Sequence, residues 1–178
     1  MATAPVETME QEYDRLLEER TAIIAAAKAA GSTSDQAREQ MTEVMDRIRE
    51  ILAIPPDGYT LPPQAAKLIA HAHAHGWQGE TQWTPPGWER EEDREPFVLV
   101  KVGRRMEPGE LEYSRSDVWL YQLTWHSRGC PPGKLRLFGA GKCRTPENPA
   151  THDAPSVKAI AAVITQHPGP DAARLALF

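Results

Sequence analysis

Ile54-Pro55-Pro56-Asp57-Gly58-Tyr59-Thr60-Leu61-Pro62-Pro63 is the stretch on which the reading turns. A residue ahead of proline resists the helical region, and Asp-Gly is a turn pair, so no regular element is expected to run through it. Composition changes across it. Of the 16 prolines, only Pro5 precedes position 55. Residues 1–57 carry 12 acidic and 6 basic side chains, a net charge of -6; residues 58–178 carry 13 and 14, a net of +1. Two shifts at one point mark a boundary. They divide the chain into residues 1–54, a Pro-rich linker 55–63 and a second domain 64–178.

Before the boundary the apolar period is helical. Met9, Tyr13, Leu16, Leu17, Ile23, Ile24 and Ala27 recur three and four apart, and Gly31 can end that helix in the left-handed region. Ser32-Thr33-Ser34-Asp35 offers N-cap oxygens, with Thr33 and Gln36 at capping-box spacing. Ala37, Met41, Val44, Ile48 and Ile51 then repeat at 4-3-4-3, widened by Met45 and Leu52. The expectation is an antiparallel, coiled-coil-like helical hairpin. Neighbouring apolar residues such as Leu16 with Leu17 make its stripes wider than one two-helix seam covers. A third surface is therefore expected to cover them: the sheet domain, a foreign partner or, the choice favoured by the proline boundary, a second copy.

Beyond the boundary the period changes. Leu61-Pro62-Pro63 opens a short helix that runs to His75-Gly76. Residues 77–95, with Pro85-Pro86 and several acids, read as a loop. Phe97–Val102, Val118–Trp125 and Lys134–Phe138 read as strands, with turns near Pro108-Gly109 and at Pro131-Pro132-Gly133, and with Gly139-Ala140-Gly141 ending the third. Ser156 caps a last helix, Val157–Gln166. The fold class is α+β: the hairpin, then an α-β-β-β-α domain with a three-stranded antiparallel sheet. Double-stranded-RNA-binding modules share that order but open their last helix on a lysine cluster. Here the place reads Asp153-Ala154-Pro155-Ser156-Val157-Lys158, so the chain is not assigned to them.

Composition sets limits. The chain has 178 residues, is 40% hydrophobic and 25% charged, and has the makings of a core. Its longest apolar stretches, such as Ala22–Ala27, are far below the ~20 residues that span a bilayer. No membrane association is expected. The N-terminus has neither a basic nor an apolar leader region, and two cysteines make no disulfide scaffold; the expected location is the cytoplasm.

Few groups can do chemistry. Arg128, Lys134, Arg136, Lys142 and Arg144 form a basic run without an acid between them, and Trp125, His126 and Phe138 are near in sequence, with Trp125 taken as the aromatic of the site. That pattern suits phosphate contacts and base stacking, and equally suits the wet face of a half-buried sheet. His71 and His75 have metal-pair spacing but no carboxylate between them, as residues 72–74 are Ala-His-Ala. His126, Cys130, Cys143 and His152 have the ligand types of a zinc site but not its close pairs. His126 and Ser127 are adjacent, so on a strand they point apart and make no dyad. Gly139-Ala140-Gly141-Lys142 lacks the spacing of a phosphate loop. The three tryptophans Trp77, Trp83 and Trp88 either pack the loop or line a groove.

The resulting expectation is a non-catalytic binding or adaptor protein with no cofactor. Its hairpin associates with a second copy or another protein through Leu17, Ile24, Met41, Met45, Ile48 and Leu52. Its basic sheet face takes a ligand, nucleic acid being a candidate. The alternative is a structural or assembly component that oligomerises through the hairpin; a small metal-dependent enzyme comes third.

Overall fold

Thr8 closes the start of the first helix. Its side chain accepts from the Gln11 amide at 3.2 Å and Gln11 Oε1 accepts from the Thr8 amide at 2.9 Å, so two otherwise orphaned donors are satisfied. The computed structural model describes residues 7–87, 95–105, 118–142 and 154–169, with the backbone alone for Arg105, Val118 and Trp119. The turn at Pro108-Gly109 and Trp88 lie outside them. Helix α1 (Met9–Ala30) ends on Gly31, and α2 (Asp35–Leu52) starts from Ser34, whose hydroxyl accepts from the Ala37 amide at 3.1 Å. That cap lies one residue beyond the expected Thr33–Gln36 pair.

Leu16 of α1 and Val44, Ile48, Ile51 and Leu52 of α2 form one buried seam. Arg47 bridges it from outside, donating to Glu12 and to Glu50, each at 2.7 Å. The bond from Arg47 holds the Glu12 carboxyl below its usual range. A carboxyl held down stabilises the fold above its unfolded pKa of about 4.3, and that contribution is lost as pH falls through the lower folded value. The outer side of α2 faces the sheet. A groove of about 640 Å³ between them is lined by Leu17, Met45 and Leu52 on the helices and by Glu80, Gln82 and Lys101 on the strands.

Helix α3 (Pro63–Ala74) has proline at its first position, where the missing N–H is no loss. After it comes an element that sequence reading leaves as loop: Gln78–Trp83 is strand β1. Among the described residues the sheet therefore has four strands, not three. The residues Gln-Gly-Glu-Thr-Gln-Trp have little strand propensity, and tertiary context decides. Gly79 is needed because α3 lies on it; a Cβ there would meet Ile69 Cγ2 at 2.9 Å. Strands β2 (Phe97–Arg105), β3 (Val118–His126) and β4 (Arg136–Lys142) follow, paired antiparallel in the order β1-β2-β3-β4.

The register sorts the side chains. Trp83, Val98 and Trp125 are successive cross-strand partners, as are Thr81, Val100 and Leu123. These line the inner face, where Leu68 and Ala72 of α3 and Ile160 and Ile164 of α4 (Val157–Gln166) cover them. Each buried large side chain contributes about 1.5–3 kcal/mol. The segment after α4 is stitched to the segment after α3: Trp77 Nε1 donates to the His167 carbonyl at 2.7 Å and the Gly169 amide to the His75 carbonyl at 2.8 Å. Among the described residues no helix is long and apolar enough to cross a membrane.

Gly31 and Gly133 both have positive φ, 70° and 73°. A Cβ on Gly31 would meet nothing within 4 Å, whereas one on Gly133 would lie 2.7 Å from the Gly58 carbonyl oxygen. Gly31→Ala should cost about 1 kcal/mol, the left-handed penalty alone. Gly133→Ala should cost on the order of 2–3 kcal/mol, since the linker backbone must also shift. Urea unfolding of the two variants checks the difference. Equal losses would mean that residue 58 does not approach this turn.

Candidate functional site

The pairing of β3 with β4 runs further than the sequence suggests. The glycines expected to end the strand are inside it: Gly139 pairs with Thr124, Ala140 with Leu123 and Gly141 with Gln122. A nine-residue β3 offers a ladder to all of them, and the hydrogen bonds outweigh the weak strand propensity of glycine. The strand starts later too, at Arg136, so Lys134 belongs to the preceding turn. Between Thr124 and Trp125 the register shifts: Thr124 faces Gly139 and Trp125 faces Leu137, leaving Phe138 as the extra residue of a β-bulge. Its side chain is 72% exposed.

That bulge completes an aromatic row on the outer face. Phe97 and His126 are cross-strand partners with ring centroids 6.2 Å apart and planes at 23°; His126 and Phe138 lie 6.2 Å apart at 52°. The row thus crosses β2, β3 and β4 and ends in the exposed ring. Around it Arg128, Lys134 and Arg136 are exposed, Arg136 as the cross-strand partner of His126; Lys142, also exposed, pairs with Tyr121 and belongs by register to the other face. Among the described residues, Glu95 brings a carboxylate to the site, its Oε2 3.6 Å from His126 Nδ1 and 3.9 Å from Arg128 Nε. His126 Nδ1 also accepts from the Arg128 amide at 3.0 Å, which assigns the ring proton to Nε2.

Two groups of sequence candidates are relocated. Trp125 is 2% exposed, in the core beside Val98, so it is not an aromatic available to a ligand. Parity shows why: Tyr121, Leu123 and Trp125 share the inward face, while Gln122 and Thr124 point outward. Phe138 takes the place assigned to it. Among the helix residues, Ile48 and Leu52 are 5% and 6% exposed and already buried within this chain, because they pack into the α1–α2 seam. Leu17, Met41 and Met45 are half-buried and Ile24 is 48% exposed. Arg144 lies outside the described residues.

The metal-ligand types have other occupations. Cys130 is half-buried and its thiol faces the carbonyls of His126 at 3.9 Å and Arg128 at 3.8 Å; Cys143 and His152 lie outside the described residues. Among those described, no three His, Cys, Asp or Glu side chains are grouped to hold a metal ion. His71 Nε2 bonds Thr165 Oγ1 at 2.9 Å and so latches α3 to α4. His75 Nδ1 donates to the His71 carbonyl at 2.8 Å, and His73 Nε2 accepts from the Gly79 amide at 3.3 Å. Trp77 and Trp83, 1% and 2% exposed, pack the core. No family model, curated protein or solved structure matches the chain.

Because Trp125 is core and Phe138 is surface, truncating them should have opposite consequences. Trp125→Ala should lose about 3–5 kcal/mol of unfolding free energy. Phe138→Ala should stay within ~0.5 kcal/mol of the unmutated protein. Guanidinium unfolding followed by tryptophan fluorescence and circular dichroism measures both. A large loss for Phe138→Ala would show that its ring is packed.

Proposed function

We propose that this is a non-catalytic binding protein whose β3–β4 face holds an extended anionic ligand. One observation carries the reading: every charged side chain from Arg128 to Lys142 is basic and exposed, and the run surrounds an exposed aromatic ring. Exposed cations on a strand and its turn attract a polyanion over a Debye length of about 8–10 Å at physiological salt. The carboxylate of Glu95 offsets part of that field at the Arg128 end, so the attraction centres on Lys134 and Arg136. The acidic helices, with a net of -6 over residues 1–57, lie at the β1 edge of the same face, repel the same ligand and favour its placement at the β3–β4 edge.

Retention on a heparin column tests it. The unmutated protein should elute only as salt is raised, and Lys134→Glu combined with Arg136→Glu should elute at markedly lower salt with an unchanged melting temperature. Passage of the unmutated protein through the column at 50 mM salt would defeat the reading.

A second reading concerns the helices. Ile24, 48% exposed near the end of α1, favours a helical hairpin that associates with a second copy through its far end, where Met41 is also half-buried. Sedimentation velocity should then find a dimer, and Ile24→Glu should return it to a monomer. A full-length monomer at all accessible concentrations excludes self-association.

A further inference from the structure

We propose that the anionic ligand is a single-stranded nucleic acid whose bases stack on Phe138; this rests on reading the β3–β4 face as an anion-binding surface. Charge alone would be met by any polyanion. Three features of the face go further.

The first is the aromatic row. Phe97, His126 and Phe138 stand on three neighbouring strands, with rings 6.2 Å apart in each step. Unpaired bases present flat π-faces, and each base stacked on an aromatic side chain strengthens binding without requiring a particular base. The second is the bulge that displays the last ring. One residue is inserted between Leu137 and Gly139, and Phe138 is left 72% exposed at the open end of the row. Bulges re-aim side chains in this way next to functional sites.

The third is Gly139. Its φ is not in the left-handed region, and a Cβ built on it would meet nothing within 4 Å. Neither backbone conformation nor packing within the described residues calls for glycine there. Glycine weakens a strand interior and is found where a ligand or another backbone comes close. It lies directly beside Phe138, so a base on the ring brings its sugar and phosphate over the bare strand. Arg136, the cross-strand partner of His126, lies on the same face three residues away, roughly 10 Å at about 3.3 Å per residue. An acidic peptide would satisfy the cations but has no flat group for Phe138. A duplex keeps its bases stacked on one another and offers the ring nothing.

The test measures fluorescence anisotropy of a labelled fifteen-residue oligo-dT, the oligo-dT·oligo-dA duplex and a labelled oligo-glutamate peptide. They are titrated with the full-length protein, Phe138→Ala, Gly139→Val and the double variant Lys134→Glu, Arg136→Glu. Oligo-dT should bind more tightly than the duplex or the peptide. Phe138→Ala should weaken oligo-dT binding about 5- to 100-fold while leaving retention on heparin unchanged. Gly139→Val should weaken oligo-dT binding and keep or raise the melting temperature, a combination that a merely structural glycine would not give. The double charge variant should weaken all ligands and lower the salt slope for oligo-dT by about 1.4, for two phosphate contacts.

If Phe138→Ala and Gly139→Val bind oligo-dT as the unmutated protein does, the inference is overturned even though heparin is retained. Peptide binding as tight as oligo-dT and insensitive to Phe138→Ala overturns it too. If neither oligo-dT nor heparin is bound at 50 mM salt, the underlying anion-binding reading fails as well.

Discussion

The antiparallel pairing of β2 with β3 is the constraint on which the rest of the molecule depends. It sets Val98 against Trp125, Val100 against Leu123 and Val102 against Tyr121, and all six side chains are buried under α3 and α4. A slip of one residue would turn every one of them to the other face. The same register fixes the opposite side of the sheet. Phe97 meets His126 there because both are one residue out of phase with the core set. Core and candidate site are two consequences of one alignment.

The edge strand turns that outer face into a surface with a direction. The inserted Phe138 extends the aromatic row beyond β3, and Gly139 leaves the neighbouring position without a side chain. Arg136 follows the turn at Pro131-Pro132-Gly133, which also carries Lys134, so cations, ring and bare backbone fall within nine residues of sequence. At the opposite edge of the same face, α1 and α2 bring acidic charge and lie against β1. Ile48 and Leu52 are buried in the seam between those helices, which removes the two side chains from any surface offered to a partner.

Much of the fold is legible in the sequence, for reasons that can be named. The helical spacings of Leu16, Val44, Ile48 and Ile51, the left-handed Gly31 and the proline at position 63 are local signals, and each marks its element. Strand β1 is not legible, since Gln78–Trp83 is held by its ladder to β2 and by α3 packing on Gly79, contacts distant in sequence. The extension of β4 through Gly139 and Gly141 is likewise decided by β3. In the candidate site, the basic residues are picked out by charge and Trp125, His126 and Phe138 by nearness in sequence, but nearness does not say which ring faces outward. Trp125 is nearer the eye than Phe138, and only the parity of Gln122 and Thr124 reveals that it points inward. The bulge that exposes Phe138 exists only in the pairing, and no residue type announces it.

The most direct measurement is a two-dimensional amide spectrum of the ¹⁵N-labelled full-length chain, titrated with oligo-dT. Shifted amides should cluster at residues 126–128 and 134–142, with those of α1, α2 and α3 unmoved. Shifts centred on the groove between α2 and β1, or on the helices alone, would contradict it.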